Sequence, residues 1–367
     1  MKTNELLQSK TIAFLRFPLI VGVVLIHSKM SDVVIGGVTL VNVADYPFFD
    51  YFTYLFSEIF ARIAVPLFFF ISGFLYFYKP DVFDGRVYLQ KMKKRDRTIL
   101  VPYLCWNLLI MFLFLFADNF FPGLFSGRNK PVSDYSWSDW LWAFWNTQEI
   151  DINREGAFPI NYPFWFIRDL MVVMLFSPVV YLLVKKLKAY SVLLLGCLWL
   201  TGFWVNWVGF SITAFFFFSA GAYFGIHKKN FVEPLKSKLM GLALIYAIFV
   251  VLELCFRDVE ELGYVHNVGI LFGMAFAIGL TAYFLEKGSW RVNTFLSESS
   301  FFVYAYHAMP LAFIIKLAFK AIQPQSGGTL WLLYILCPTI AVLIGLVLYY
   351  ILKRCIPRFT AIITGGR

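Results

Sequence analysis

Apolar residues in this chain run on for about twenty positions at a time and give way to short polar connections. Runs long enough to cross a bilayer fall at 11–28, 58–78, 99–117, 163–184, 190–206, 210–226, 239–256, 267–285, 299–320 and 329–352. Hydrocarbon offers no partner to a peptide group, so each run must satisfy its own backbone as a helix. The pattern predicts an all-α membrane protein, a bundle of about ten transmembrane helices within a single integral-membrane domain over 1–367. The split between 190–206 and 210–226 rests on Asn206, Trp207 and Gly209, the turn signal there. No internal repeat and no low-complexity tract interrupts the series.

Charge orients the bundle. With both termini in the cytosol, the inside connections hold 22 of the 32 Lys and Arg residues, as the positive-inside rule requires. The stretch 1–10 is polar and enters the first run without a small-residue cleavage site, so it reads as an uncleaved first span. Of the 367 residues 60% are apolar and 15% charged, against about 45–50% and 25% in ordinary soluble domains. That composition excludes a soluble enzyme, and a net charge of +10 spread this thinly excludes a nucleic-acid partner. The bilayer is the expected solvent, with a multi-pass location in a cell membrane, a bacterial inner or plasma membrane. Cys105, Cys197, Cys255, Cys337 and Cys355 are scattered and form no C-x-x-C pair, so neither disulfides nor a metal site is expected.

The one long outside loop, 118–162, carries Trp137, Asp139, Trp140, Trp142, Trp145, Glu149, Asp151 and Glu155. A short amphipathic helix at the interface is expected in it, serving as an aromatic belt or as a platform on which sugars stack.

An ionisable side chain inside a span costs at least about 2.5–3.5 kcal/mol, so each one is a candidate for function. In the first span helical spacing places Arg16 and His27 on one face about 16 Å apart, as one wall of a cavity. The alternative is an arginine snorkelling to the inner surface and a histidine at the outer one. The second span has Glu58 and Arg62 in the favourable i, i+4 order for an ion pair, then Ser72-Gly73, a small pair that permits close packing. The fourth opens on Trp165-Phe166-Ile167-Arg168-Asp169. In the ninth, Ser300, Tyr304 and His307 share a helical face, with His307 near mid-membrane as a hydrogen-bonded packing residue or as part of a site. Ahead of Pro102-Tyr103 stand Lys91, Lys93, Lys94, Arg95 and Arg97, which satisfy topology and also suit a polyanionic ligand at the cytosolic mouth.

Taken in order, these residues resemble the acyltransferase 3 family of integral-membrane O-acyltransferases. The family's R-x10-H is met by Arg16 and His27, and its F-F…S-G-F signature by Phe69-Phe70-Ile71-Ser72-Gly73-Phe74. Its P-Y after a basic run is met by Pro102-Tyr103, its W-F-x-x-x-L by Trp165 to Leu170, and its S-F-x-x-Y-x-x-H by Ser300 to His307. The family's R-x-x-R departs here: spacing selects Lys94 and Arg97, residue type selects Arg95 and Arg97. No soluble esterase-like domain follows the last span, so the chain is expected to be the membrane module alone.

The resemblance implies transfer of an acyl group, usually acetyl from cytosolic acetyl-CoA, to a hydroxyl of a carbohydrate acceptor such as a cell-envelope glycan. It implies catalytic roles for His27, Arg16, His307 and Tyr304, donor binding by Lys94, Arg95, Arg97, Ser72 and Gly73, and a supporting or acceptor-side role for Glu58, Arg62, Trp165, Arg168 and Asp169. A histidine fits as general base and buried donors fit a developing oxyanion. His27 falls about 24 Å along a core about 30 Å thick, so the donor's pantetheine arm must thread deep into the bundle or the acyl group must be relayed covalently. A secondary transporter or flippase of a glycan or small solute is the competing reading, which lacks support from matched repeats.

Overall fold

The structure is a computed structural model that describes residues 3–30, 33–35, 38–42, 45–79, 82–120, 130–152, 156–259 and 262–366. Glu155 lies outside them. In chain order, α1 (Thr3–Ile26) precedes two short antiparallel strands, β1 (Val34–Ile35) and β2 (Val38–Thr39). Helix then continues from Pro47 to Tyr78 as α2 (Pro47–Thr53), a π-helical stretch Tyr54–Phe60, a 3-10 turn Ala61–Ile63 and α3 (Ala64–Tyr78). Next, α4 (Gly85–Arg95) passes through a second π-helical stretch, Asp96–Leu100, into α5 (Val101–Phe120). Each π-helical stretch lies just upstream of a proline, Pro66 or Pro102, whose missing N–H leaves the carbonyl four residues earlier without its regular partner.

The long loop between α5 and α7 holds α6 (Trp137–Trp142), the short helix expected there. The remainder is α7 (Trp165–Leu175), α8 (Ser177–Leu187), α9 (Ala189–Thr201), α10 (Ile212–Ile226), α11 (Val232–Ser237) and α12 (Leu239–Phe256). It ends in α13 (Gly263–Glu286), α14 (Thr294–Tyr306), α15 (Ala308–Ile322), α16 (Gly327–Cys355) and α17 (Pro357–Thr364).

Not all of the about ten spans read from the sequence are single long helices. Among the described residues six helices are long and apolar enough to cross a membrane, or up to eight if each of two bent pairs is one span. The expected spans 163–184 and 299–320 are those bent pairs, α7 with α8 turning by 65° and α14 with α15 turning by 68°. Proline explains both: Pro178 removes the N–H that would reach Met174, and Pro310 the one that would reach Tyr306. The spans 190–206 and 210–226 become the shorter helices α9 and α10.

The apolar surface confirms the solvent. Along α16, Leu330, Tyr334, Cys337, Ala341, Gly345 and Tyr349 are buried while Leu332, Leu336, Ile340, Leu343 and Val347 are exposed. A helix apolar on its outward face as well as its inward one belongs in lipid. The chain is a multi-pass membrane protein.

The described residues cluster into two compact units. The first comprises Met1–Ile26, Tyr54–Met92 and Val172–Ser300, the second His27–Thr53, Lys93–Met171 and Phe301–Arg367. At the centre of the first, α3 and α10 meet backbone to backbone. A Cβ placed on Gly73 would lie 2.0 Å from the Phe218 carbonyl oxygen, and one on Gly221 would lie 1.9 Å from that of Phe70. Gly221 and Gly225 form a G-x-x-x-G ridge, the usual device where lipid gives helices no hydrophobic reason to associate. At Gly73, expected from the resemblance to bind donor, the space at the Cα is filled by α10. Ser72 beside it is half-buried. Glu58 and Arg62 pair as expected, with Arg62 Nε donating to Glu58 Oε2 at 2.7 Å across the junction from π- to 3-10-helical backbone.

In the second unit α6 starts at a capping box. Ser136 Oγ accepts from Asp139 N, and Asp139 Oδ2 accepts from Ser136 N at 2.8 Å and from Lys130 Nζ at 2.7 Å. The Lys130 ammonium and the Ser136 amide hold the Asp139 carboxyl down to about 2, below the usual carboxylate range. A depressed value stabilises the folded loop above the unfolded carboxyl's range, and that contribution disappears as pH falls through about 2. Hydrogen exchange of the 130–151 amides should therefore accelerate between about pH 4 and pH 2 in the wild type. Asp139→Asn should exchange faster at neutral pH and lose that dependence; equal exchange of both proteins across this range would refute the role.

Candidate active site

The second unit builds a polar centre where three of its segments meet. The long loop folds back between α6 and α7: Ile160 N donates to Ala143 O at 2.7 Å and Thr147 N to Phe158 O at 2.8 Å. Asn161 then ties that returning strand to two helices. Its N–H donates to Asn107 Oδ1 of α5 at 3.1 Å, and its Nδ2 to Ala305 O of α14 at 3.1 Å. Both asparagines are almost fully buried. Irregular backbone among membrane helices survives only when its polar groups are satisfied in this way.

Arg168 closes the same loop from α7. Its Nη1 donates to Trp145 O at 2.7 Å and Ala157 O at 2.8 Å, while Nε donates to Asp169 Oδ1 at 3.0 Å. Arg168 and Asp169 are 4% and 3% exposed, so their charges are spent internally, on the loop and on each other. This gives the expected supporting pair a definite task, shaping the loop. Trp165, one turn earlier, is half-buried.

Beside the loop, Tyr103, Phe164 and Tyr304 form a three-ring stack with successive centroids 5.6 Å apart. The Tyr304 hydroxyl donates to Pro163 O and the Tyr103 hydroxyl to Phe144 O, so both tyrosines are held by backbone. Tyr304 therefore acts as a strut in this arrangement.

The two histidines meet next to this stack. α1 ends at Ile26, and His27 is the first residue beyond it, so the helical spacing from Arg16 does not extend to it. The His27 ring lies against that of His307, with centroids 5.4 Å apart and 29° between planes, and meets Tyr162 edge-on at 4.8 Å. His307 stands at the bend between α14 and α15 but keeps helical backbone, its N–H bonded to Val303 O at 3.0 Å and its ring 6.2 Å from that of Tyr304, so the expected face with Ser300 and Tyr304 is kept. Its Nδ1 lies 2.6 Å from Tyr304 O. A carbonyl only accepts, so Nδ1 carries the proton and Nε2 of the neutral ring carries the lone pair. Nε2 is buried and has no hydrogen-bond partner among the described residues. Leaving such a group unsatisfied costs about 1–3 kcal/mol, which marks it for an incoming donor.

Of the residues singled out by sequence, the second unit brings together His27, His307, Tyr304, Trp165, Arg168 and Asp169. Lys94, Arg95 and Arg97 belong to the same unit, on the last turn of α4 and the π-helical stretch after it; Lys94 and Arg97 are exposed and Arg95 half-buried. Arg16, Glu58, Arg62, Ser72 and Gly73 fall in the first unit. There Arg16 is half-buried with no ion-pair partner among the described residues.

Sequence reasoning missed Asn107, Asn161 and Tyr162. A polar Asn107 inside an apolar run was a usable signal, whereas Asn161 and Tyr162 gave none. It also passed over Glu253, a 5% exposed carboxylate in α12 that pairs with His266 Nδ1 at 2.6 Å. No group of three or more metal-ligating side chains occurs among the described residues.

A family model described as an acyltransferase domain matches residues 10–351. The chain belongs to the acyltransferase 3 family. The match contains both histidines and the loop between α5 and α7, so the polar centre lies wholly within the family's domain. The chain is also 25% identical over 376 aligned positions to the succinoglycan biosynthesis protein ExoH of Rhizobium meliloti, covering 92% of this chain and 91% of that protein. No solved structure matches it. It is thus a membrane enzyme of a family that transfers acyl groups.

Proposed function

We propose that the protein moves an acetyl group from cytosolic acetyl-CoA to a hydroxyl of an extracytoplasmic glycan, with an imidazole of the His27–His307 pair as general base. The observation that carries this reading is that pair, set beside a buried, tautomer-defining contact in a chain of acyltransferase ancestry. The relative's part in succinoglycan biosynthesis supports a polysaccharide acceptor. In this reading both termini face the cytosol, and Lys94, Arg95 and Arg97 offer cations to the donor's phosphates at the inner mouth. Arg16, a half-buried guanidinium, is a candidate for orienting the donor.

The chemistry requires one proton transfer and one bond exchange. The acceptor oxygen gives its proton to the imidazole and attacks the thioester carbonyl carbon; the carbon–sulfur bond breaks and the sulfur leaves with a proton. A positioned base of this kind contributes about 10²–10⁴-fold. Purified protein in lipid vesicles, given labelled acetyl-CoA and an envelope polysaccharide, should label the polysaccharide and release CoA. His27→Ala should reduce that rate by about 10²-fold or more. Wild-type turnover in His27→Ala would remove His27 from the mechanism, and no consumption of acetyl-CoA by the wild type would refute the donor.

A further inference from the structure

Two imidazoles lie in contact, and their surroundings separate their roles. His307 is 0% exposed, its Nδ1 proton is committed to Tyr304 O at 2.6 Å, and its Nε2 is buried with no hydrogen bond among the described residues. His27 is half-buried, with its ring held between the edge of Tyr162 and the face of His307. A base must present a lone pair whose direction is fixed before substrate arrives, and the carbonyl of Tyr304 fixes it on one ring.

We infer that His307 Nε2 is the atom that takes the proton from the acceptor hydroxyl, and that His27 contacts the acyl group or the acceptor beside it. The inference rests on the acyltransferase reading above and assigns a definite atom within it. In the step, the hydroxyl proton passes to His307 Nε2 as the oxygen bonds to the thioester carbonyl carbon. The carbon–sulfur bond then breaks, and the proton on Nε2 passes to the leaving thiolate, giving the ester and CoA thiol and returning the neutral imidazole. The bend at Pro310 serves the same end. It begins just after His307, whose N–H keeps its regular bond to Val303 O at 3.0 Å, and a backbone carbonyl of its own helix, not a second titratable group, holds Nδ1. The ionisable neighbours in the unit are His27 beside the ring, Tyr162 against His27, Tyr304 on the preceding turn, Tyr103 in the aromatic stack and the Arg168–Asp169 pair on α7.

The test uses the full chain in lipid vesicles and compares the wild type with His307→Asn and His307→Gln. The asparagine amide can still donate to Tyr304 O from the place of Nδ1 but has no basic nitrogen; the glutamine places an amide near Nε2 that cannot hold a proton. Both variants should bind acetyl-CoA within about twofold of wild type, lose about 10²–10⁴-fold in kcat, and lose the fall in rate on the acid side that protonation of the base imposes. Either variant keeping kcat within threefold of wild type, with an unchanged pH profile, would overturn the assignment. If the wild type transfers no acetyl group at all, the acyltransferase reading fails first and this inference with it. An active wild type beside active variants defeats the inference alone.

Discussion

Gly221→Val should yield no folded protein. The side chain would have to occupy the place of the Phe70 carbonyl, 1.9 Å from its own Cβ, and backbone cannot step aside as a flexible side chain can. Separating α3 from α10 by the width of an isopropyl group would open the centre of the first unit along both helices. Overpacking typically costs about 1–3 kcal/mol where side chains absorb it, and a clash between two backbones lies beyond that range. Gly73→Ala should fail in the same way, since its Cβ would come within 2.0 Å of the Phe218 oxygen. Gly241→Ala in α12 is the control: a Cβ there meets nothing within 4 Å, and alanine favours the helix. The readout is the fraction of expressed protein that runs as a single species in mild detergent. Gly221→Val recovered at the level of Gly241→Ala would disprove the close contact.

Arg168→Ala should be the most damaging single change in the second unit. It leaves the Asp169 carboxylate buried without its partner and strips hydrogen bonds from the carbonyls of Trp145 and Ala157 together. Breaking a buried pair from one side costs about 3–5 kcal/mol, which corresponds to a fall in Tm on the order of 10 °C. Asp169→Asn should cost less, because the amide Oδ1 can still accept from Arg168 Nε and Arg168 would keep both loop carbonyls, so that only the carboxylate charge is lost. Arg168→Lys should fall nearer to alanine than its charge implies, since an ammonium lacks the planar fork that reaches two carbonyls and a carboxylate at once. Thermal unfolding in detergent ranks the three; Arg168→Ala within 2 °C of wild type would show that the loop does not depend on this clamp.

Much of this architecture is legible in the sequence because the bilayer imposes simple rules. The run 239–256 is a helix over those same residues, and the runs at 267–285 and 329–352 lie inside longer helices. Order within a run is harder to read. Pro178 and Pro310 announce that a helix cannot run on undisturbed, but the 65° and 68° bends depend on what packs around the freed carbonyls. The same limit applies to the polar centre. His27 and His307 stand out as ionisable groups in apolar runs, yet nothing in their spacing says that their rings touch or that Nδ1 of one is fixed by its own helix. Asn161 could not be read at all: an asparagine in a loop is unremarkable until its two hydrogen bonds to α5 and α14 are seen. Gly73 shows the opposite limit, since a conspicuous small residue in a sequence does not announce that it packs against the backbone of another helix.

The contact between His27 and His307 also sets a clock on biosynthesis. The two imidazoles enter the chain about 280 positions apart, and at about 5–20 residues per second the second follows the first by roughly 15 to 55 seconds. Throughout that interval a nascent chain already inserted in the membrane holds only one half of the pair. A chain released early, or stalled before its ninth apolar run, therefore lacks the paired rings. The polar centre is thus completed late in the synthesis of the matched domain.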